Sequence, residues 1–285
     1  MAEVATFATS DQLLVVIDPV ARRADAESVR IAKDVLSAGA ATKVCLPDGP
    51  EEFARVLARR GSRRPVVIGD DRALLRAVSL LYRQRELAGC ALSMVPVGAA
   101  LSLAGALGVP TGAVAAARAV LDGVERRKDL LVDESDGVVL GALRIPSFPS
   151  PAVSSPAGTG HASWLRTCQS LVRTLVPARP SREPLAGVTR LGPARLRVEV
   201  DGVTLVDLDQ PVDGVSVTPG VSGLAEVEVR PASVGAEASA LCARGRRVTV
   251  SGADFRYRAD AVVGGPVRTR TWVVREGAWG LTLPG

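Results

Sequence analysis

Histidine, cysteine and long apolar runs are scarce in this 285-residue chain. Its one histidine, His161, excludes a metal centre built from several histidines and argues against a Ser-His-Asp hydrolase. The four cysteines form no C-x-x-C pair, so neither a zinc knuckle nor a redox dithiol is predicted. The N-terminus lacks the basic start and apolar run of a signal peptide, and no apolar stretch is long enough to cross a membrane. We therefore expect a cytoplasmic protein with reduced thiols.

Lysine and aromatic residues are also few. Only three of the 35 basic residues are lysines, and aromatic residues make up 3% of the chain. So few aromatics exclude a base-stacking platform for single-stranded nucleic acid. The arginines that give the net charge of +5 are spread along the chain, which is typical of a solvated surface and of a GC-rich bacterial genome. We expect no nucleic-acid partner, while the 47% hydrophobic content supports a sizeable core.

The first 128 residues alternate short apolar runs with helical spacings. The last of these helices is predicted to be capped by Thr111 and to bury Val114, Ala117, Leu121 and Val124. Repeated βα units of this length predict an α/β, Rossmann-like domain with a parallel sheet over residues 1–128. The predicted strands are Leu13–Ile17, Thr42–Leu46, Val66–Ile68 and Leu92–Val97.

The character of the sequence changes near residue 128. A hairpin is predicted over 130–140, a loop or linker over 146–160 and a crossover helix near 160–176. From Ala194 onward apolar and polar residues alternate between Gly, Pro and Asp turns, with Val273 and Leu281 on one face. This pattern predicts an all-β sandwich domain over residues 129–272.

Three local sequences carry a resemblance to the diacylglycerol kinase family, which includes bacterial lipid kinases and sphingosine kinases. Val15–Pro19 resembles the end of the family's first strand, Val67–Leu74 its G-G-D-G-T-L turn, and Met94–Gly98 its P-x-G-T-x-N-D-F-A region. The resemblance implies an NAD kinase/diacylglycerol kinase-like fold with residues 273–285 packing back toward the first domain. Active members of the family use ATP and Mg²⁺.

The phosphate-loop positions of the family are degenerate in this chain. They fall at Gly69, Asp71, Arg72 and Gly98, with Asp70 and Arg72 in place of glycines. Asp70 is interpreted as the N-cap of the next helix, strained if its φ must be positive. Its carboxylate at the helix N-terminus would repel ATP phosphates.

The metal and base positions also differ from the family's pattern. Ser222 lies where the resemblance implies a Mg²⁺-binding aspartate, and Val262 where it implies a general-base glutamate. Serine is a poor Mg²⁺ ligand and valine cannot accept a proton. We therefore expect no bound ATP, no metal and no catalytic residue. If the protein is active, Asp71, Glu226 and Asp260 are the catalytic candidates.

Three functions stay open. The first is a regulatory pseudokinase that binds a protein partner or a small anionic ligand, for which Arg22 and Arg72 are candidate contacts. The second is an active lipid kinase that transfers the ATP γ-phosphate to a lipid hydroxyl. The third is a structural homodimer joined at its sheet edges. Peripheral membrane contact also stays open, although no basic amphipathic helix indicates it.

Overall fold

The structure is a computed structural model that describes residues 12–146, 193–232 and 239–285. The predicted crossover helix near 160–176 lies outside these residues, as does the linker beyond Pro146. No helix in the described ranges is long and apolar enough to span a membrane. The helices in these ranges are α1 (Pro19–Ala24), α2 (Ala26–Gly39), α3 (Pro50–Ala58), α4 (Asp71–Arg83), α5 (Ser102–Ala106) and α6 (Ala113–Asp122).

The strands follow the two halves of the chain. The first four are β1 (Gln12–Ile17), β2 (Ala41–Cys45), β3 (Arg64–Gly69) and β4 (Ala91–Pro96). The others are β5 (Val124–Asp133), β6 (Val138–Val139), β7 (Leu143–Ile145), β8 (Ala194–Val200), β9 (Val203–Val206), β10 (Pro211–Pro219), β11 (Ala225–Pro231), β12 (Leu241–Gly245), β13 (Arg247–Ala259) and β14 (Val262–Leu283).

Strands β1 to β4 pair in parallel in the order β2-β1-β3-β4. Continuous apolar runs form the central strands because helices cover both faces of this part of the sheet. Leu14 packs in one core cluster with Phe53 of α3, and Val15 packs in another with Ala32 of α2. All four strands predicted in this half are present.

Helix α6 differs from its prediction at both its cap and its buried face. Gly112 is the N-cap and makes no side-chain cap, so the expected capping by Thr111 is wrong. Ala117 is buried as predicted, and so are Ala116 and Val120, but Val114 and Val124 are 40% and 42% exposed. Leu121 also packs on α2 as predicted, since a Cβ on Gly39 would overlap it, whereas Val114 lies outside this face.

Most of the other strand pairings are antiparallel, and all the strands belong to one hydrogen-bonded network. The alternation predicted for β8 is confirmed, since Leu196, Val198 and Val200 are all buried in the core of the second half. Strands predominate over helices, and the parallel part is confined to β1–β4 and a short β4–β14 pairing. The Rossmann-like assignment of the first half stays a prediction.

The long strand β14 runs from one half of the sheet into the other. It first pairs with β13, then lies antiparallel to β5 and parallel to β4. The register shift between Arg275 and Trp279 keeps the alternation of faces, but the two parts of β14 pack in different cores: Trp272 lies in the core of the second half, and Leu281 lies in that of the first half. The prediction that Val273 shares a face with Leu281 is confirmed, because they pair with Val132 and Arg126, which lie on one face of β5. Residues 128 and 272 fall inside β5 and β14, and the division into domains stays a prediction.

Candidate functional site

The loops after β1, β3 and β4 lie at one edge of the parallel strands, where α/β folds commonly bind ligands. The backbone N–H of Asp18 donates to Ile68 O at 2.9 Å, and that of Val97 donates to Gly69 O at 2.8 Å. These bonds tie the three strand ends together. The strand-end cluster comprises Asp18, Gly69, Asp70, Asp71 and Gly98.

Asp70 is the N-cap of α4. Its carboxylate accepts hydrogen bonds from the backbone N–H groups of Arg72 and Ala73, each at 3.1 Å. The predicted capping role is therefore confirmed. The expected backbone strain is wrong, because Asp70 has a φ of −91° and an extended conformation. The side chain of Arg72 is exposed beside this cap.

The two glycines of the cluster allow protein to pack closely on protein. A Cβ on Gly69 would lie 2.6 Å from Cβ of Ala73 and 3.1 Å from Cβ of Asp18. Gly98 has a φ of +133°, and a Cβ there would lie 3.2 Å from Cβ of Asp70. Both positions therefore need glycine for the contact between loops.

Asp71 is buried and fixes the start of α5. Its carboxylate accepts from the N–H groups of Leu103 and Ala104 at 2.9 and 3.0 Å, and from the Ser102 hydroxyl at 3.3 Å. Its own N–H donates to Ala100 O at 2.9 Å. Helix α5 therefore begins at Ser102, because residues up to 101 form the loop that receives Asp71.

Asp260 lies in the turn between β13 and β14, close to Asp71. Its carboxylate accepts from the three N–H groups of the 140–142 turn at 2.7 to 2.8 Å. Burial raises the pKa of the Asp260 carboxyl, the three N–H donors oppose this, and the charge of Asp71 adds to the increase. A Cβ on Gly141 would touch both Asp260 and Leu103. The structure thus brings two of the predicted catalytic residues into one region.

Glu226 lies in a different environment on β11. It forms an ion pair of 2.8 Å with Arg244 of β12, and both side chains are exposed. The pair lines an open groove of about 610 Å³ on the polar face of β10, β11 and β12. No hydrogen bond or ion pair between described residues links Glu226 to Asp71 or Asp260.

Ser222 and Val262, which the resemblance assigns to the metal and base positions, offer no carboxylate. Ser222 has a φ of +60° in the turn between β10 and β11. The next residue, Gly223, donates its N–H to Asp129 at 2.8 Å. Val262 opens β14 and is 57% exposed.

Sequence reasoning missed the pairing of Asp18 with Arg76. Asp18 is buried, caps α1 through Val20 N–H at 2.8 Å, and accepts from Arg76 at 2.7 Å. The Arg76 guanidinium also lies 5.4 Å from the centroid of the Phe53 ring. The available signal was Asp-Pro directly after a buried strand, because proline is favoured after a helix N-cap.

Arg22 is occupied by a contact of its own. It pairs with Asp48 at 3.2 Å across the loop that follows β2. Of the two predicted anion contacts, only Arg72 lacks an ion pair with a described residue.

The residues at this edge do not fit ATP and Mg²⁺. A phosphate at the start of α4 needs free N–H donors, but Asp70 engages two of them and adds a negative charge. The oxygens of Asp71 and Asp260 already accept from protein donors. Within the described ranges, no group of three or more His, Cys, Asp or Glu side chains is placed to hold a metal ion.

Comparison with known proteins gives a match of fold but none of sequence. No protein-family profile and no curated protein matches the chain. Among solved structures, a candidate diacylglycerol kinase from Bacillus anthracis str. Sterne has a TM-score of 0.69 at 12% identity, over 96% of this chain and 97% of that one. A diacylglycerol kinase from the same organism has a TM-score of 0.66 at 11% identity, again over 96% and 97%. The predicted resemblance is confirmed at the level of fold: the chain has a diacylglycerol kinase-like fold.

Proposed function

We propose that this chain is a non-catalytic protein built on the diacylglycerol kinase fold, which acts as a regulatory protein by binding a partner or a small anionic ligand. One observation carries the proposal: the Asp70 carboxylate occupies the N-terminus of α4 and accepts from two of its N–H groups. The glycine-rich turn of the family leaves this helix end available to a phosphate. Here the chain supplies its own anion.

The electrostatic balance at this helix end opposes a nucleotide phosphate. A helix N-terminus stabilises an anion by about 0.3–1 kcal/mol at an exposed site. Two like unit charges 4 Å apart repel by about 1 kcal/mol in water and about 4 kcal/mol near a protein surface. Because the repulsion by the Asp70 carboxylate matches or exceeds the attraction by the helix N-terminus, the start of α4 gives no net stabilisation to an ATP phosphate.

Proton transfer is impaired independently. Val262 offers no acceptor at the position that the family uses for its base, and loss of a general base commonly lowers rates by about 10²–10⁴-fold. Asp260, two residues before Val262 in the sequence, is engaged by three N–H donors. Both effects favour a protein that has kept the scaffold without the phosphoryl transfer.

A thermal melt with and without Mg-ATP, run beside a diacylglycerol phosphorylation assay, tests the proposal. We expect that Mg-ATP does not raise the Tm of the unaltered chain and that no labelled lipid product forms. The matched variant Asp70→Gly with Arg72→Gly restores the two glycines and should gain Mg-ATP binding. Lipid phosphorylation by the unaltered chain would overturn the proposal.

An active lipid kinase with relocated groups is a second candidate, supported by Gly141, which packs against both Asp260 and Leu103, the residue whose N–H donates to Asp71. A raised carboxyl pKa brings a general base nearer to neutral pH. This candidate requires measurable turnover that Asp260→Asn abolishes while Glu226→Gln leaves it unchanged.

A structural homodimer is the third candidate, since the main strand order ends at β12 and β2 and so leaves two sheet edges. Light scattering separates this candidate from the others, because a monomer at micromolar concentration excludes it.

A further inference from the structure

A second groove lies at the opposite end of α4 from the strand-end cluster. It has a volume of about 480 Å³, and Tyr82, Arg83, Arg85 and Arg275 are among its lining residues. Helix α4 has 13 residues, so its two ends lie about 20 Å apart at 1.5 Å per residue. The groove is therefore separate from the candidate site described above.

The lining of this groove is positively charged. Three arginines face it against one carboxylate, that of Asp136. None of Arg83, Arg85 and Arg275 forms an ion pair with a described residue. Exposed arginines on the sheet are often paired, as in the 2.7 Å contact of Arg230 with Glu228. The excess of positive charge in the groove is therefore available to an anion.

The wall that carries Arg275 is held in place by the chain itself. Arg127 donates to Gly277 O at 2.6 and 3.0 Å and to Ala88 O at 3.1 Å, which links the bulge of β14 to the loop after α4. Asp129 accepts from Gly277 N–H at 2.7 Å. This fixed wall reduces the ordering that a ligand would have to impose.

Arg85 occupies a position that normally favours glycine. Its φ is +59°, and it follows the end of α4, where Glu86 N–H donates to Leu81 O and Arg85 N–H donates to Tyr82 O. These bonds satisfy carbonyls at the helix end and so weaken the negative field that the end of α4 presents to the groove. An arginine in the left-handed region points to a role for its side chain.

We propose that this groove binds a phosphate-bearing ligand with an apolar portion. Arginine guanidinium groups bind phosphate oxygens in bidentate fashion, which suits Arg83, Arg85 and Arg275. The apolar portion would lie against Tyr82 and Ala278, which also line the groove. A soluble organic phosphate and the headgroup of an anionic phospholipid share this chemistry. The proposal is independent of the function proposed for the strand-end cluster.

Calorimetric titration with phenyl phosphate and with inorganic phosphate tests the groove. We expect phenyl phosphate to bind more tightly, because inorganic phosphate has no apolar portion. The double variant Arg83→Gln with Arg275→Gln should bind phenyl phosphate at least about tenfold more weakly, since it loses two charge-assisted contacts. Arg118→Gln with Arg72→Gln, which removes two exposed arginines outside the groove, is the matched charge control and should bind as the unaltered chain does.

A flotation assay identifies the source of the phosphate. Vesicles of phosphatidylcholine with and without phosphatidate are the probes. Phosphatidate-dependent flotation that the double variant loses assigns the groove to a lipid headgroup. Phenyl phosphate binding without flotation assigns it to a soluble phosphate.

Arg85→Gly separates binding from stability. Glycine relieves the left-handed backbone, so we expect a Tm no lower than that of the unaltered chain together with weaker phenyl phosphate binding. The proposal is overturned by absence of binding to both soluble probes and the vesicles. It is also overturned by binding that the double variant retains, or by an equal loss in the control, Arg118→Gln with Arg72→Gln.

Discussion

At the residue scale, acidic side chains at the candidate site organise the backbone. Asp70, Asp71 and Asp260 each accept two or more backbone N–H donors, so their negative charge is used within the protein. Such contacts stabilise turns and helix starts, and they leave fewer lone pairs for a metal ion or a substrate proton. An aspartate can therefore stand at a position of a catalytic motif and still not be free to bind a metal ion or accept a substrate proton.

The Asp260 carboxyl makes the stability of the folded chain depend on pH. Burial raises its pKa in the folded state above the unfolded value of about 3.9. Its contribution to stability is therefore fully present below the unfolded pKa and is lost as pH rises through the folded pKa. We expect the free energy of unfolding of the unaltered chain, minus that of Asp260→Asn, to fall with rising pH over this window and then level off.

Urea denaturation at a series of pH values measures this difference. Asp254→Asn, at a largely exposed position, is the control for a general effect of removing one negative charge. A difference that rises with pH would show that the folded pKa of Asp260 is lowered.

At the scale of the elements, helix α5 depends on a residue from another helix. Among the residues that the structure describes, Asp71 of α4 satisfies both Leu103 N–H and Ala104 N–H at its start. Because both donors are buried, their loss is more costly than the loss of an exposed cap.

We expect Asp71→Ala to lower the free energy of unfolding by about 2–4 kcal/mol, since two buried N–H groups lose their acceptor. Ser102→Ala removes only the longer contact of 3.3 Å at an exposed position and should change stability by less than about 0.5 kcal/mol. Chemical denaturation of both variants measures the two effects. Equal losses would contradict the capping role of Asp71.

The sequence predicts elements well where local pattern decides them. The apolar runs locate β1 and β3, and the Asp70 cap follows from its place before an amphipathic helix. The start of α5 and the proximity of Asp71 to Asp260 depend on contacts between residues far apart in the chain. The change of core along β14, from that of the second half at Trp272 to that of the first half at Leu281, likewise depends on distant contacts.

At the scale of the whole molecule, β14 joins the two halves of the sheet. Its last residues place Trp279, Leu281 and Leu283 in the core of the first half. A buried hydrogen bond of 2.8 Å from Ser93 to Thr282 adds to this pairing with β4.

Deletion of residues 276–285 should abolish cooperative unfolding. Burial of a large apolar side chain contributes about 1.5–3 kcal/mol, so three of them account for much of the 5–15 kcal/mol that stabilises a typical domain. Removal of Pro284 and Gly285 alone, both exposed and beyond β14, is the matched control and should leave the transition intact. Circular dichroism during heating measures both. A cooperative melt after the longer deletion would contradict this role of β14.

The length of β14 has a mechanical consequence. Its 22 residues would span at most about 70 Å if fully extended, and they pair with strands of both halves. The strand is weakest in bending where its ladder with β5 is interrupted, between Arg275 and Trp279. Arg127 and Asp129 brace that point through Gly277. Bending of β14 at this point would break the hydrogen bonds of Arg127 and Asp129 with Gly277. A ligand bound to Arg275 would add a contact beside them and so oppose this bending.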